Sequence, residues 1–256
     1  MNRIKDAFQI KKAFITYLMA GDPNLAVSAE YILTAQDAGA DLVEIGIPFS
    51  DPIAEGEVIQ SASTRAITAG TRLDGVFDMV ASIKDRMRVP MVFMTYLNPI
   101  FVYGYESFFA KCTEIGICGV IIPDMPFEEQ GEAKEIAGKH GIEIITLVAP
   151  TSEKRVARIA GEAEGFLYLV SSMGVTGVRS EITTDLSGIM SEIRKNTAIP
   201  AAVGFGISTP QQARFYSGIA DGVIVGSAIV RIIEKYGENA KEALYNYIKE
   251  MKDNTV

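Results

Sequence analysis

Short runs of β-branched and aromatic hydrophobes recur along the chain at 14–19, 42–46, 91–95, 120–122, 144–148, 166–170, 201–205 and 223–225. Each is apolar at nearly every position rather than at alternate ones, the pattern of a parallel strand buried on both faces. Between them, apolar positions fall into a helical period at 26–38, 58–69, 73–86, 105–114, 128–139, 153–160, 185–196 and 210–216, and two further amphipathic stretches, 228–236 and 240–251, close the chain. Eight strands alternating with helices predict an α/β fold, a (β/α)8 TIM barrel, as a single domain over residues 1–256. An open doubly wound sheet would place a Gly-rich turn after its first strand, where this chain reads Ala20-Gly21-Asp22-Pro23. Gly39, Gly116 and Gly218 each stand a few residues ahead of a strand, as helix-ending glycines do in repeated αβ turns. An extra N-terminal helix at 4–10 is expected to plug the lower end of the barrel.

Composition narrows the function. With 48 % hydrophobic and 22 % charged residues in 256, the chain has the make-up of a globular protein with a sizeable core. A net charge of −8 and the lack of a basic run argue against nucleic-acid binding. A bound phosphate would then have to be held by backbone N–H groups more than by Lys and Arg. Cys112 and Cys118 fit no common zinc spacing, and a single histidine, His140, excludes a His-rich metal site, so neither metal nor cofactor is expected. The N-terminal stretch has charges scattered through it and no apolar segment of a signal peptide, and no run approaches a membrane span. The expectation is a cytoplasmic protein that binds neither membrane nor nucleic acid.

In a barrel of this kind, chemistry sits where strands end. Glu44 lies inside the second apolar run, where an unpaired charge is expensive and its pKa should rise, making it a candidate general acid/base. The competing reading is a strand-end glutamate paired with a Lys or Arg of a neighbouring strand. Asp51 and Glu55 follow in a loop punctuated by Pro48, Pro52 and Gly56, where solvated carboxylates are the ordinary expectation. The exit of the sixth strand, Ser171-Ser172-Met173-Gly174-Val175-Thr176-Gly177-Val178-Arg179, is long and carries two glycines, and reads as a lid over the barrel mouth. The last two exits, with Gly204 and Gly206 in one and Gly226-Ser227 directly before a helix in the other, suit a phosphate approached by backbone N–H groups and a helix N-terminus.

The run Glu44-Ile45-Gly46-Ile47-Pro48-Phe49-Ser50-Asp51-Pro52 resembles the signature of the tryptophan synthase alpha subunit family. Ala20-Gly21-Asp22-Pro23, Pro123-Asp124-Met125-Pro126, Gly174-Val175-Thr176-Gly177, Gly204-Phe205-Gly206-Ile207-Ser208 and Gly226-Ser227-Ala228-Ile229-Val230 follow in that family's order, so the resemblance covers nearly the whole chain. It implies retro-aldol cleavage of indole-3-glycerol phosphate to indole and glyceraldehyde 3-phosphate. It also implies transfer of the indole to a beta subunit that carries pyridoxal phosphate, in an assembly of two alpha and two beta chains. The resemblance makes Glu44 the proton shuttle and Glu55 the acceptor of the indole N–H. Gly177, Gly206, Gly226 and Ser227 would hold phosphate, and Tyr17, Met94, Tyr96 and Tyr168 would line the substrate pocket. Gly174, Thr176 and Arg179 belong to the lid, and Pro48, Asp51 and Pro52 to the face that meets the partner.

The chain departs from the family pattern Ala-Asp-Gly-Pro, reading Ala54-Glu55-Gly56-Glu57. The carboxyl at 55 then stands one methylene further out, and a misplacement of about 1 Å can cost on the order of 100-fold in rate. Glu57 is expected to loosen the loop and to push the pKa of Glu55 upward by like charge. These departures predict a chain that is slower at the lyase step when isolated, or that positions the loop differently on its partner, and Glu55→Asp is expected to restore speed. Two other functions stay open on sequence alone: a weakly catalytic subunit that mainly activates the beta chain, and an isomerase of another phosphorylated sugar.

Overall fold

The hydrophobic runs form strands and the amphipathic stretches form helices wrapped around them. The computed structural model describes residues 3–9, 11–149, 153–170, 186–204 and 206–256. The strands are β1 (Ala13–Met19), β2 (Leu42–Gly46), β3 (Met91–Met94), β4 (Ile117–Ile121), β5 (Glu143–Ile145), β6 (Leu147–Val148), β7 (Leu167–Val170), β8 (Ala201–Gly204) and β9 (Gly222–Val225). All pair in parallel, in the order β5-β4-β3-β2-β1-β9-β8-β7-β6. The helices are α1 (Leu25–Asp37), α2 (Glu57–Thr68), α3 (Leu73–Ile83), α4 (Leu97–Tyr103), α5 (Tyr105–Ile115), α6 (Gly131–Lys139), α7 (Glu153–Gly161), α8 (Leu186–Asn196), α9 (Pro210–Ser217), α10 (Ser227–Tyr236) and α11 (Lys241–Asp253). This is the TIM barrel that the alternation predicts.

Two differences from the sequence reading have local causes. The single strand expected at 144–148 is split at Thr146 into β5, which pairs with β4, and β6, which pairs with β7. The chain changes neighbours there, and the buried Thr146 hydroxyl turns aside to donate to Gln130 Oε1 at 3.0 Å. The two ends of the sheet order are thus consecutive pieces of one barrel strand, and the ring is closed by the chain itself. Helix α4 is absent from the expectation because Pro99 breaks its pattern. Pro99 is the third residue of the helix, where its missing N–H has no intrahelical acceptor to lose. The first-turn N–H of Leu97, which has no acceptor within the helix, is taken up by Asp124 Oδ1 at 2.9 Å.

Strand parity divides the interior into two layers. Phe14, Val43, Ile45, Phe93, Val120, Leu169, Val203 and Val225 point outward and pack under the helices in one large cluster. Ile15, Leu42, Val92, Ile121, Ile145, Tyr168, Ala202 and Ile224 point inward and fill the barrel. The N-terminal segment enters this second cluster from below, with Ile4 fully buried beside Leu42, Cys118 and Phe166. The plug is therefore present, as a tight 3-10 turn (Ile4–Phe8) rather than a full helix.

One ion pair ties the loop after β1 to the helices near the barrel mouth. Asp22, 1 % exposed, accepts from Arg65 of α2 at Oδ1 (3.0 Å) and Oδ2 (2.8 Å), and Arg65 also reaches Glu234 of α10 at 3.0 Å. Removing the guanidinium would strand a buried carboxylate. Arg65→Ala should lower stability by about 3 kcal/mol, the low end for a buried pair because Arg65 itself is 31 % exposed. Urea unfolding measures this, and a loss below about 0.5 kcal/mol would class the contact with ordinary surface pairs.

Candidate active site

At the C-terminal ends of the strands, the inward positions change from aliphatic to polar and aromatic. Tyr17 of β1, Glu44 of β2, Met94 of β3 and Tyr168 of β7 face one another, with Tyr17 and Glu44 in direct register. They line a cleft with about 590 Å³ of empty space, part of it open to solvent, together with Ala54, Glu55, Ile59, Gly206, Ile207, Ile224, Gly226, Ser227 and Ala228. The two tyrosine rings fit only because a neighbouring strand ends in glycine. A Cβ at Gly46 would lie 2.1 Å from the Tyr17 hydroxyl oxygen, and one at Gly204 would lie 2.5 Å from the Tyr168 ring. The sequence reading credited Gly204 to phosphate binding. Its tight constraint is the tyrosine.

Glu44 is 1 % exposed, and neither carboxyl oxygen has a hydrogen-bond partner among the described residues. Among the described residues no Lys or Arg pairs with it, which speaks against the strand-end ion pair that competed for this residue. Burial, reinforced by the negative charge of Glu55, pushes its pKa up to about 8. At pH 7 Glu44 is chiefly a neutral acid, a form an apolar interior tolerates far better than a carboxylate. Glu55 comes from the β2–α2 loop, is 7 % exposed, and is raised by burial to about 7. Two carboxyl groups in one cleft thus stand ready to hold and accept a proton near neutral pH. Tyr17 and Tyr168 are driven well above the usual tyrosine range by burial and the nearby carboxyls, so their hydroxyls stay protonated.

The opposite wall is the exit of the last two strands. Gly206 adopts a left-handed backbone (φ 80°), which glycine supplies without strain. Gly226 caps α10, and the helix opens with Ser227 and Ala228 on the cleft wall. The free N–H groups of a helix start, with their positive potential, make this end of the cleft suited to an anion.

Some predicted residues lie elsewhere. Gly174, Thr176, Gly177 and Arg179 fall outside the described residues. Tyr96, expected on the pocket wall, is not among the residues lining the cleft. Its ring stacks on Phe49 at 5.1 Å and its hydroxyl accepts the Ala54 N–H at 3.0 Å, so it stands behind the loop that carries Glu55. Glu57 is exposed and forms the first turn of α2, where an acidic side chain suits the helix dipole. Burial, not the charge of Glu57, raises Glu55. Asp51 is exposed between the half-buried Pro48 and Pro52. Beside them the structure adds what the sequence reading missed: Ile53 on this loop, and Phe101 and Val102 on α4, are large apolar side chains left open to solvent. Cys112 and Cys118 are buried free thiols, and among the described residues no cluster of His, Cys, Asp and Glu is fit to hold a metal.

The family model for the tryptophan synthase alpha chain matches residues 4–256. The chain belongs to the tryptophan synthase alpha chain family. The alpha chain of Lacticaseibacillus casei is 45 % identical over 252 residues, covering 98 % of this chain and 95 % of that protein. The crystal structure of the alpha chain from Legionella pneumophila superposes with a TM-score of 0.88 at 34 % identity, covering 100 % and 97 % of the two chains. A chain from a structure of the tryptophan synthase complex of two alpha and two beta chains, from Pyrococcus furiosus, superposes at 0.87 with 37 % identity, over 94 % of this chain and 98 % of that one. As a member of the tryptophan synthase alpha chain family, the protein is a lyase subunit of tryptophan biosynthesis. Among the described residues, no helix is long and apolar enough to cross a membrane.

Proposed function

We propose that the cleft binds indole-3-glycerol phosphate and cleaves it to indole and glyceraldehyde 3-phosphate. The observation that carries this reading is Glu44: a buried carboxyl facing the cavity, with neither oxygen hydrogen-bonded among the described residues, and with Glu55 on the same cavity. The phosphate lies at the start of α10, held by backbone N–H groups around Gly206, Gly226 and Ser227. The indole ring extends toward Tyr17, Met94 and Tyr168. Protonated Glu44 delivers its proton to the ring carbon that bears the side chain, and ionised Glu55 accepts a hydrogen bond from the indole N–H, stabilising the cation formed. Glu44, now a carboxylate, takes the proton of the adjacent glycerol hydroxyl. The carbon–carbon bond breaks, its electron pair returns to the ring, and the aldehyde departs. Glu44 ends the cycle protonated, as it began. The indole ring is its own electron sink, so the step calls for no cofactor.

We further propose that a beta subunit carrying pyridoxal phosphate receives the indole, in an assembly of two alpha and two beta chains within the cytoplasm. The docking face comprises Pro48, Asp51 and Pro52 with the exposed Ile53, and extends to Phe101 and Val102 of α4. Tyr96 joins the two segments, contacting Phe49 and Ala54 while capping α4. The test is to incubate the pure chain with indole-3-glycerol phosphate, alone and with a beta subunit, and to assay indole and tryptophan. Indole release by the chain alone, faster with the partner, is the expected result. Stimulation of the beta chain without cleavage, or silence in both assays, would overturn the reading.

A further inference from the structure

The ten-residue connection from β2 to α2 has no regular secondary structure, yet it must hold Glu55 inside the cleft. Its fixed points are few. Phe49 donates its N–H to Ser63 Oγ, and that hydroxyl donates back to the Phe49 carbonyl, both at 2.8 Å. Beyond Phe49 the chain bulges into solvent through the exposed Ser50, Asp51 and Ile53, and returns at Ala54. There the Ala54 N–H donates to the Tyr96 hydroxyl at 3.0 Å, and the Glu55 carbonyl accepts from Gln60 Nε2 at 2.8 Å. Tyr96 therefore meets the loop on both sides of the bulge, stacking on Phe49 at one and accepting from Ala54 at the other. It is itself rigidly placed: buried, two residues beyond the end of β3, and heading α4, whose first N–H is fixed by Asp124.

We propose that Tyr96 is a positioning residue, a latch whose hydroxyl closes the β2–α2 loop and keeps the Glu55 carboxyl buried in the cleft. The proposal rests on Glu55 being the group that meets the indole N–H, and gives Tyr96 a part other than the pocket wall the sequence implied. Burial pushes the Tyr96 hydroxyl up to about 12, so it remains protonated and neutral throughout the working range. Without that oxygen the Ala54 N–H has lost its acceptor, the bulge is free to lift, and water reaches Glu55. Since burial is what raises Glu55, hydration must lower it again.

The test is Tyr96→Phe in the full chain, with its fold verified by circular dichroism. The Glu55 titration is followed by carboxyl carbon-13 resonance and assigned through Glu55→Gln. We expect the Glu55 midpoint to fall by about one pH unit or more toward the ordinary carboxylate range. Turnover should fall about tenfold, with KM for indole-3-glycerol phosphate changed less than about twofold. In the Glu55→Gln background the same substitution should add nothing, because the latch acts only through Glu55. Phe49→Leu, which removes the stack and leaves the hydroxyl, should move the Glu55 midpoint in the same direction by less. An unmoved Glu55 titration in both variants would overturn the latch, as would a raised KM with turnover unchanged. A parent chain that releases no indole would overturn the lyase reading alone, and the resonance measurement would still decide the latch.

Discussion

Glu44→Gln will abolish measurable indole release, and its stability relative to the parent will rise steadily with pH. The loss follows from the double duty of this one group. A positioned acid or base contributes about 10²- to 10⁴-fold, and here the same carboxyl both gives and takes the proton, so the upper end applies. The amide fits the same space and can do neither. The gain follows from the raised pKa. Below about pH 4.5 the carboxyl is protonated in the folded and unfolded chain alike, and its titration contributes nothing to the difference. As pH rises, the unfolded chain ionises first while the folded chain holds its proton to about pH 8. The native state therefore loses stability across that window, by about 1.4 kcal/mol per pH unit. Glutamine does not titrate and escapes the loss, which amounts to roughly 3 kcal/mol at pH 7. The buried amide brings its own unsatisfied groups, an offset of about 1–3 kcal/mol that is independent of pH. The slope of the difference between variant and parent, from urea midpoints between pH 5 and 8, is thus the measurement. Parallel curves would mean that Glu44 is not a buried, protonated acid.

The barrel was legible because each strand is apolar on both sides and each helix on one, and those periods survive in the linear chain. Glu44 was legible for the related reason that a charge inside such a run needs an explanation. Its lack of a partner among the described residues was not, because that depends on what seven other strands bring to the same depth. Gly46 and Gly204 show the same limit: the sequence marks a small residue at a strand end, and only the register shows that a tyrosine ring needs the space. Pro99 hid α4, since the tolerance of a helix start for proline is visible only once the start is known. The exposed Phe101 and Val102 were hidden with it, as exposure has no meaning without the helix that displays them. Glu57 misled in the opposite direction. Two residues from Glu55 along the chain, it points out on α2, and burial alone accounts for the raised pKa it was expected to cause. Tyr96 was expected on the pocket wall, but it is not among the residues lining the cleft and its hydroxyl accepts from Ala54.

Indole release will follow a narrow bell in pH, rising as Glu55 ionises near 7 and falling as Glu44 loses its proton near 8. The competent state has Glu44 protonated and Glu55 ionised, and only between these values do both hold. Because each charge disfavours the other, the two limbs belong to the pair, and the repulsion holds them further apart than independent carboxyls would lie. Glu55→Gln will remove the acid limb and, by taking away a charge that raises Glu44, move the alkaline limb to lower pH. Its plateau will fall about 10²- to 10³-fold, the usual cost of losing one group that stabilises charge in the transition state. Glu55→Asp will keep both limbs and raise the plateau, since the shorter side chain withdraws the carboxylate by one methylene along a loop already tied down at Ala54 and Gln60. Initial rates of indole formation under saturating and limiting substrate, taken from pH 5.5 to 9.5, separate these outcomes. A flat profile in the parent chain would remove Glu44 and Glu55 from the chemistry together. A bell that keeps its acid limb in Glu55→Gln would return that limb to some other group and leave Glu55 as a wall of the cleft.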